Sequence, residues 1–411
     1  MNQLADLILE HVEELGRLET LVMGAPKFIA EHGARELANS LRYYAGWADK
    51  ICGGVFPDSG DGAYRMVTHQ PLGVCAGIAA WNATFLFIGW KVAPAIAAGN
   101  TYVFKISEKS PLGALALGHL VIKAGFPPGV INFINGLGEA GSRLASHMKV
   151  AKISFTGSTA TGRSVQIAAA QSNLKRCTLE LGGKSAALVF DDAPIDNALA
   201  SLTQGFLINT TQVCAATTRL LIQDTIANEF IAKLKVKFQE VLTSFGDPSS
   251  PETCAGPLAD EAQFRRVMDF IEVAKTKGVQ LVVGGGRHGN GGYFVQPTIF
   301  VDPPLSSSVY REEIFGPVLC VVRFKTESEA IAMANDSIYG LGASIYTGSA
   351  SRGLRVASDL QVGSVGINQP LVPNTMVPMG GMKQSGYGRE NGIEGIMAYI
   401  DTKTISINMQ V

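Results

Sequence analysis

The stretch Lys152-Ile-Ser-Phe-Thr-Gly-Ser-Thr-Ala-Thr-Gly162 decides the fold class of this chain. Residues 152–155 predict a short buried strand, and residues 159–170 predict a helix. Small residues and hydroxyls lie between them, where the helix dipole and free backbone N–H groups suit a pyrophosphate. A helix capped by Ser158 or Thr159 would use the same residues. The stretch on its own favours neither interpretation.

Short apolar runs alternate with helical stretches on both sides of this segment. Strands are predicted at residues 101–106 and 130–134, with a helix between them at 112–124. Further along the chain, a strand at 186–190 precedes a helix at 198–206. Such alternation is typical of a parallel sheet with helical crossovers, so the sequence predicts an α/β protein.

Length and charge restrict the class of protein further. The chain has 411 residues, which is too many for one ordinary core and predicts at least two domains. Basic and acidic residues nearly cancel, 34 against 35, so we expect neither a nucleic-acid partner nor binding to an anionic membrane. The apolar run at 72–99 contains Asn82, Lys91 and Pro94, which favours a buried strand, a turn and a helix over a membrane span.

Six cysteines stand far apart, at positions 52, 75, 177, 214, 254 and 320, with no CxxC pair and no cluster of zinc-binding spacing. The first residues lead into an acidic amphipathic segment and not into a basic and then apolar stretch, so a signal peptide is not expected. We therefore expect reduced thiols, no metal site and a cytoplasmic location.

Cys214 has different surroundings from the other cysteines. It lies in the polar segment Asn209-Thr-Thr-Gln-Val-Cys-Ala-Ala-Thr-Thr-Arg219, whereas Cys75 lies in an apolar strand. A thiol on a polar turn can act as a nucleophile if a base is near. No histidine has a context that suggests this base, but Glu180 ends an apolar strand before two glycines. Burial would raise its pKa towards the range useful for proton abstraction; a glutamate paired with a lysine or the backbone is the alternative.

A second glycine string, Gly136-Leu-Gly-Glu-Ala-Gly141, matches GxGxxG between a predicted strand and a predicted helix at 141–147. The position favours dinucleotide binding, but a lone match is explained equally well by a tight turn. A third string at 284–289 has no helix after it and predicts a surface loop.

In combination and order, these motifs resemble the aldehyde dehydrogenase superfamily along essentially the whole chain. The residues that carry the resemblance are Trp81-Asn82, Trp90-Lys-Val-Ala-Pro94, Phe104-Lys-Ile-Ser-Glu108, Gly125-Phe-Pro-Pro-Gly129, Phe155-Thr-Gly-Ser158, Leu179-Glu-Leu-Gly-Gly-Lys184, Gln212-Val-Cys214, Glu312-Glu-Ile-Phe-Gly-Pro317 and Gly386-Tyr-Gly-Arg-Glu390.

The resemblance implies an NAD-dependent oxidation of a small-molecule aldehyde to a carboxylic acid. Cys214 would be the nucleophile, and the Asn82 amide with the Cys214 backbone N–H would bind the oxyanion. Glu180 would activate the water that hydrolyses the thioester. Lys91 and Glu390 match positions that relay protons to that glutamate, although a surface ion pair would be the ordinary alternative.

The resemblance also implies a set of cofactor residues. Glu313 would hold the nicotinamide ribose, with Phe315 beside the ring, and the string containing Phe155, Gly157 and Ser158 would lie at the pyrophosphate.

At the other end of the cofactor, Lys105 and Glu108 would hold the adenosine ribose, and the string containing Gly138 would lie towards the adenine. A carboxylate at Glu108 repels a 2′-phosphate, so NAD is expected over NADP.

In domain terms, the resemblance implies a Rossmann-like NAD-binding domain (residues 1–51 and 71–181) and an α/β catalytic domain (182–395). A small β oligomerisation arm (52–70 and 396–411) would complete the fold. Residues 402–408 predict an edge strand that extends a partner's sheet, so a homodimer or homotetramer is expected.

The sequence departs from the family pattern at two places. Members of the family normally have a β-rich segment before the helix at which this chain begins, so the chain is expected to be N-terminally shortened. Around Asn82, the family's flanking prolines and aromatic residue are replaced by Ala80, Ala83 and Thr84.

The motifs Tyr43-Tyr-Ala-Gly-Trp47 and Pro71-Leu-Gly-Val-Cys75 resemble the betaine aldehyde and trimethylaminobutyraldehyde group. That group binds a quaternary ammonium through aromatic rings. The corresponding positions are Ala83, Ile208 and Met379 here, so an aliphatic or aromatic aldehyde is expected instead.

Two other functions fit parts of the pattern. A coenzyme-A-acylating dehydrogenase would share Cys214 but would not need Glu180. An inactive or binding-only shortened homologue would retain the fold without turnover.

Overall fold

The structure is a computed structural model that describes residues 1–410. Its α-helices are α1 (Asn2–Glu10), α2 (Val12–Met23), α3 (Lys27–Ala45), α4 (Thr84–Ala97), α5 (Leu112–Lys123), α6 (Gly138–Ser146), α7 (Thr159–Gln171), α8 (Ile195–Leu207), α9 (Asp224–Val241), α10 (Glu261–Thr276), α11 (Ser308–Arg311), α12 (Glu327–Asn335), α13 (Ala350–Asp359) and α14 (Gly392–Met397). Short 3-10 turns cover Ile208–Thr211 and Leu242–Ser244.

The strands are β1 (Gly54–Phe56), β2 (Ala63–Pro71), β3 (Val74–Ile78), β4 (Thr101–Lys105), β5 (Ile131–Ile134), β6 (Lys152–Thr156), β7 (Arg176–Glu180), β8 (Ser185–Val189), β9 (Thr217–Gln223), β10 (Gln280–Val283), β11 (Thr298–Val301), β12 (Val318–Phe324), β13 (Tyr339–Gly340), β14 (Gly342–Tyr346), β15 (Ser364–Ile367), β16 (Met382–Lys383), β17 (Gly386–Tyr387) and β18 (Ile400–Asn408).

One sheet has the order β17-β7-β6-β3-β4-β5, and its strands β3 to β7 are parallel. The chain runs outward from β3 to β5, then returns to β6 on the other side of β3. This reversal is the topological switch point of a doubly wound sheet, where ligands bind beyond the carboxyl ends of the strands. The two sequence motifs Trp81-Asn82 and Gly157-Ser158 follow the two strands at this point.

A second sheet has the order β10-β11-β12-β9-β8-β14-β15 and is parallel except for β10. A third sheet joins β1, β2 and β18 in antiparallel pairing. In it, β18 pairs with β2 from Ile400–Pro71 to Asn408–Ala63 and forms one edge. The predicted α/β fold class is therefore confirmed.

The apolar run at 72–99 forms the buried strand β3 and the helix α4. This is the arrangement that the sequence predicts in preference to a membrane span. No helix within residues 1–410 is long and apolar enough to cross a membrane. The helix after the second glycine string begins at Gly138 rather than at residue 141, because the second half of the string, from Gly138 to Gly141, forms its first turn. The string at 284–289 is a loop after β10, as predicted.

Candidate active site

Cys214 follows a turn with an unusual backbone. Asn209, Thr210 and Thr211 are consecutive residues with left-handed φ values of 49°, 53° and 62°. Each such residue costs roughly 1–3 kcal/mol unless its surroundings stabilise it. The turn therefore needs specific contacts to persist.

Reciprocal hydrogen bonds supply those contacts and connect the turn to Asn82. The Asn209 side-chain amide donates to the backbone carbonyl of Asn82 at 3.2 Å. The Asn82 side-chain amide in turn donates to the backbone carbonyl of Gln212 at 3.0 Å. Thr210 adds a bond of 2.9 Å to a carbonyl of a neighbouring loop. The Asn82 amide is thereby fixed beside the loop that carries Cys214.

Cys214 lies where two cavities meet, and Asn82 lines both. The larger cavity has a volume of about 630 Å³ and includes Glu180 and Glu313 in its wall. The smaller has a volume of about 190 Å³, and most of its wall is apolar. Its apolar side chains include those of Phe87, Trp90, Ile208, Val213, Leu371 and Met379.

The environment of the Cys214 thiol disfavours its ionised form. Burial raises the pKa of the thiol to about 12, and the nearby Glu180 and Glu313 carboxyls add to the rise. The backbone N–H groups of Cys214 and Ala215 oppose this shift. A cationic group in the larger cavity would lower the pKa by offsetting the two carboxyls.

Glu180 ends β7 and has a side chain that is only 3% exposed. Its Oε1 atom has no hydrogen-bond partner in the part of the chain that the structure describes. Gly380 leaves room for this atom, because a Cβ there would lie 2.8 Å from it. Burial holds the pKa of Glu180 well above its usual range, and the neighbouring Glu390 raises it further against the opposing effect of Lys91.

Lys91 and Glu390 form a buried ion pair, not the exposed pair of the alternative interpretation. Ser154 Oγ donates to Glu390 Oε1 at 2.6 Å, and Lys91 Nζ donates to Thr156 Oγ1 at 2.7 Å. Glu390 Oε2 is buried without a partner in residues 1–410. The pair and Glu180 thus form one buried cluster of ionisable groups.

The chain segment between Met379 and Glu390 brings Glu390 to this place. These two residues exchange backbone hydrogen bonds of 2.7 and 2.8 Å. Between them, β17 pairs with the end of β7, so that Gly386 lies opposite Glu180. Gly386 has φ +112°, and a Cβ there would lie 1.9 Å from the carbonyl of Leu179. Only glycine permits this close approach.

The larger cavity carries several of the predicted cofactor residues. Gly157, Ser158, Glu313 and Phe315 all line it. Ser158 caps α7, and its hydroxyl accepts a 3.3 Å bond from the backbone of Thr161. The two interpretations of residues 155–162, a pyrophosphate site and a capped helix, are thus compatible, since the capped helix begins at the cavity wall.

Glu313 has the geometry of a fixed acceptor in this cavity. Its Oε1 accepts a 3.0 Å bond from the backbone N–H of Gly183. A Cβ at Gly182 would lie 2.4 Å from the other carboxylate oxygen, so glycine is needed there. Burial raises the pKa of Glu313 to about 7. These features fit a carboxylate that would accept hydrogen bonds from ribose hydroxyls.

Four predicted cofactor positions lie away from the cavity wall. Phe155 is 3% exposed and packs in the core beneath Gly157. Lys105 ends β4 and contacts Glu108 at 3.2 Å, with the lysine buried and the glutamate half-exposed. Gly138 is exposed at the start of α6. Lys105 is the last residue of β4, and Glu108 and Gly138 follow the carboxyl ends of β4 and β5.

Ser154 and Thr156 were missed by reasoning from the sequence. They alternate with Lys152 on one face of β6, which is buried along its whole length. Polar residues at every second position of a buried strand are a signal that could have revealed them. No group of His, Cys, Asp and Glu with metal-binding geometry occurs in the described chain.

The aldehyde dehydrogenase family model matches residues 1–405. An aldehyde dehydrogenase from Davidiella tassiana is 43% identical over 410 residues, which cover 100% of this chain and 82% of that protein. The mitochondrial aldehyde dehydrogenase of Homo sapiens is 41% identical over 411 residues, covering 100% and 79%. A solved structure of betaine aldehyde dehydrogenase from Staphylococcus aureus in complex with NAD+ has a TM-score of 0.97 and 36% identity, covering 100% and 82%.

Proposed function

Because the chain belongs to the aldehyde dehydrogenase family, we propose that it oxidises an aldehyde to a carboxylic acid with NAD as the acceptor. The observation that carries this proposal is the position of Cys214 and Asn82 at the junction of two cavities. One cavity presents hydrogen-bonding and acidic groups, and the other presents an apolar wall. An aldehyde in the second can therefore meet a cofactor in the first at the thiol.

The chain's own residues supply the covalent chemistry. The Cys214 thiolate adds to the carbonyl carbon, and the oxyanion is bound by the Asn82 amide and the Cys214 backbone N–H. The larger cavity, lined by Gly157, Ser158, Glu313 and Phe315, would hold NAD, which would supply the hydride acceptor for oxidation of this adduct to a thioester. Glu180 then takes a proton from water, which attacks the thioester and releases the acid and the thiolate.

Lys91 and Glu390 act as the route by which the proton leaves Glu180. Glu390 lies close enough to raise the pKa of Glu180, and its free oxygen can accept a proton. Lys91 and Ser154 hold the other oxygen in place. The two residues are therefore positioned to reset the base after each turnover.

For the cofactor, Gly157, Ser158, Glu313 and Phe315 hold the nicotinamide half, above a floor formed by Phe155. Lys105, Glu108 and Gly138 hold the adenosine half. The half-exposed Glu108 carboxylate makes NADP the poorer cofactor, because a 2′-phosphate would be repelled.

The apolar cavity supports an aliphatic or aromatic aldehyde as substrate. Of the positions at which the betaine group carries rings, Ala83, Ile208 and Met379 have none, and Trp90 alone is aromatic. A lone ring is a weak cage for a quaternary ammonium. We therefore do not extend the substrate of the betaine aldehyde dehydrogenase to this chain.

The quaternary structure and location belong to the same proposal. Residues 1–51 and 71–181 form the cofactor domain, 182–395 the catalytic domain, and 52–70 with 396–411 the arm. The free edge of β18 then extends the sheet of a partner in a homodimer or homotetramer in the cytoplasm.

Product analysis tests the reaction class. Purified protein is incubated with NAD and a panel of aliphatic and aromatic aldehydes, with and without coenzyme A. Carboxylic acid formed in amounts equal to NADH, unchanged by coenzyme A, supports hydrolysis through Glu180. Product formation that requires coenzyme A would identify the acylating enzyme instead. NAD binding without NADH formation from any aldehyde would support the inactive homologue.

A further inference from the structure

The apolar cavity beside Cys214 contains a buried acid that the proposed reaction does not use. Glu19, on α2, lines this cavity together with Cys214 and Asn82. Its side chain is 3% exposed, and its Oε1 atom has no hydrogen-bond partner within residues 1–410. A buried carboxyl without a partner is costly, so its presence in a ligand cavity requires an explanation.

The packing around Glu19 is shaped to hold its carboxyl in this position. A Cβ at Gly113 would lie 2.5 Å from Glu19 Oε1 and 2.7 Å from the ring of Phe85. Glycine at 113 thus leaves space for the acid. Burial raises the pKa of Glu19 to about 8, against the opposing effect of the nearby Thr84 hydroxyl. The raised pKa favours the neutral carboxylic acid, which can both donate and accept a hydrogen bond.

The departures from the family pattern around Asn82 open the cavity towards this acid. Ala83 and Thr84 stand where the pattern has an aromatic residue and proline, and both line the cavity with Glu19. The Thr84 hydroxyl shares a 3.0 Å hydrogen bond with Ser110. Smaller side chains at 83 and 84 leave room for a substrate to extend from the thiol to the carboxyl.

Glu19 differs from the other ionisable groups in the cavity wall. His32 is exposed and Glu36 is half-exposed, so water can satisfy both. In contrast, the Oε1 atom of Glu19 is buried away from bulk water. A polar group on a bound molecule would satisfy this atom.

We propose that Glu19 binds a hydroxyl group at the far end of an aliphatic aldehyde whose carbonyl lies at Cys214. This assignment of substrate class rests on the proposed function. A hydroxyl is favoured over an ammonium group because the surrounding wall is apolar, and a neutral hydroxyl pairs with a neutral acid without burying a charge.

The test compares straight-chain aldehydes of equal length, with and without a terminal hydroxyl, by kcat/KM for NADH formation. Wild-type protein is expected to favour the hydroxyl form by about tenfold, the effect of one hydrogen bond to a buried polar group. Glu19→Met should remove this preference, whereas Glu19→Gln, which still donates and accepts, should keep most of it. Glu36→Gln is the matched control and should leave the preference unchanged.

A second measurement does not depend on turnover. Calorimetry compares the binding of the corresponding carboxylate products, with and without the hydroxyl, to wild-type protein and to Glu19→Met. Tighter binding of the hydroxy acid to wild type alone supports the proposal, even if no aldehyde yields NADH and the proposed function fails.

Two results would overturn the assignment to Glu19. Equal kcat/KM and equal binding for the two series would show that the carboxyl contacts no substrate group, while NADH formation would leave the proposed function intact. A preference for amino-aldehydes that Glu19→Gln abolishes would identify an ammonium group as the ligand and exclude the hydroxyl.

Discussion

The ammonium group of Lys91 and the carboxylate of Glu390 form an ion pair with side chains that are 0% and 3% exposed. They come from α4 and from the segment after β17, which are far apart in sequence. Each partner also bonds a hydroxyl of β6, through Thr156 and Ser154. The pair therefore connects two segments that are 299 residues apart in sequence.

Removing one partner of this pair should destabilise the protein strongly. Lys91→Met leaves the Glu390 carboxylate buried without a counter-ion, which typically costs about 3–5 kcal/mol. Chemical denaturation followed by circular dichroism measures the change in the free energy of unfolding. Arg143→Met, which breaks the exposed pair with Glu139, is the control and should have no measurable effect. If the two substitutions lowered the free energy of unfolding equally, burial of the Lys91–Glu390 pair would not contribute to stability.

Replacing Glu180 should separate hydride transfer from hydrolysis. The Glu180→Gln variant is expected to form NADH in a single burst. Its steady-state rate should then be roughly 10²–10⁴-fold lower than that of the wild type, because the base that activates water for hydrolysis of the thioester is missing. Stopped-flow absorbance resolves the burst from the steady state. Loss of the burst together with the steady state would mean that Glu180 acts before hydride transfer.

The raised pKa of Glu180 also predicts a pH dependence. Only the carboxylate can act as a base, and burial and Glu390 both favour the protonated form. The hydrolysis rate should therefore still rise with pH at values well above the usual titration range of a glutamate. Glu390→Gln removes the repulsion between carboxyls and should move this rise to lower pH. A profile that is unchanged in Glu390→Gln would contradict the coupling of the two groups.

Asn82 should contribute mainly to the transition state. Asn82→Ala removes the amide donor but retains the backbone carbonyl that accepts the bond from Asn209, so the Cys214 loop keeps one of its two connections. The expected loss is roughly 10²–10³-fold in kcat. Steady-state kinetics give kcat and KM separately. A rise in KM with an unchanged kcat would assign Asn82 to substrate binding.

Glu108 should control the choice between NAD and NADP. Glu108→Ser removes the charge that repels a 2′-phosphate and should shift the ratio of kcat/KM values towards NADP by roughly tenfold. Glu139→Ser is the control, since that carboxylate is also exposed beyond the end of the same sheet. If both variants shift the ratio equally, the effect is one of general charge and Glu108 has no specific role.

The sequence alone predicts much of this fold, for physical reasons. Apolar runs such as β3 and β8 are typical of strands that are buried within a parallel sheet. The glycines and hydroxyls between β6 and α7 then indicate where the chain turns at the ligand edge. The sequence pattern predicts the beginning of α6 three residues too late, since glycines can form a first helical turn as well as a loop.

The contacts within the site could not be predicted from the residues in isolation. Sequence pattern does not give the distance between Lys91 and Glu390, which depends on how Gly386 lets β17 approach β7. The position of Glu19 in the cavity wall likewise depends on the packing of α2 against α5, where Gly113 leaves space for the carboxyl. Such relationships between distant segments are properties of the folded chain.

The central claim is that Cys214 is the nucleophile of an NAD-dependent aldehyde oxidation. Its most direct test is NADH formation by wild type, Cys214→Ser and the exposed-cysteine control Cys254→Ser, with NAD binding followed by thermal unfolding. We predict NADH formation by wild type and Cys254→Ser, none by Cys214→Ser, and stabilisation of all three by NAD. NADH formation by Cys214→Ser at the wild-type rate would contradict the claim.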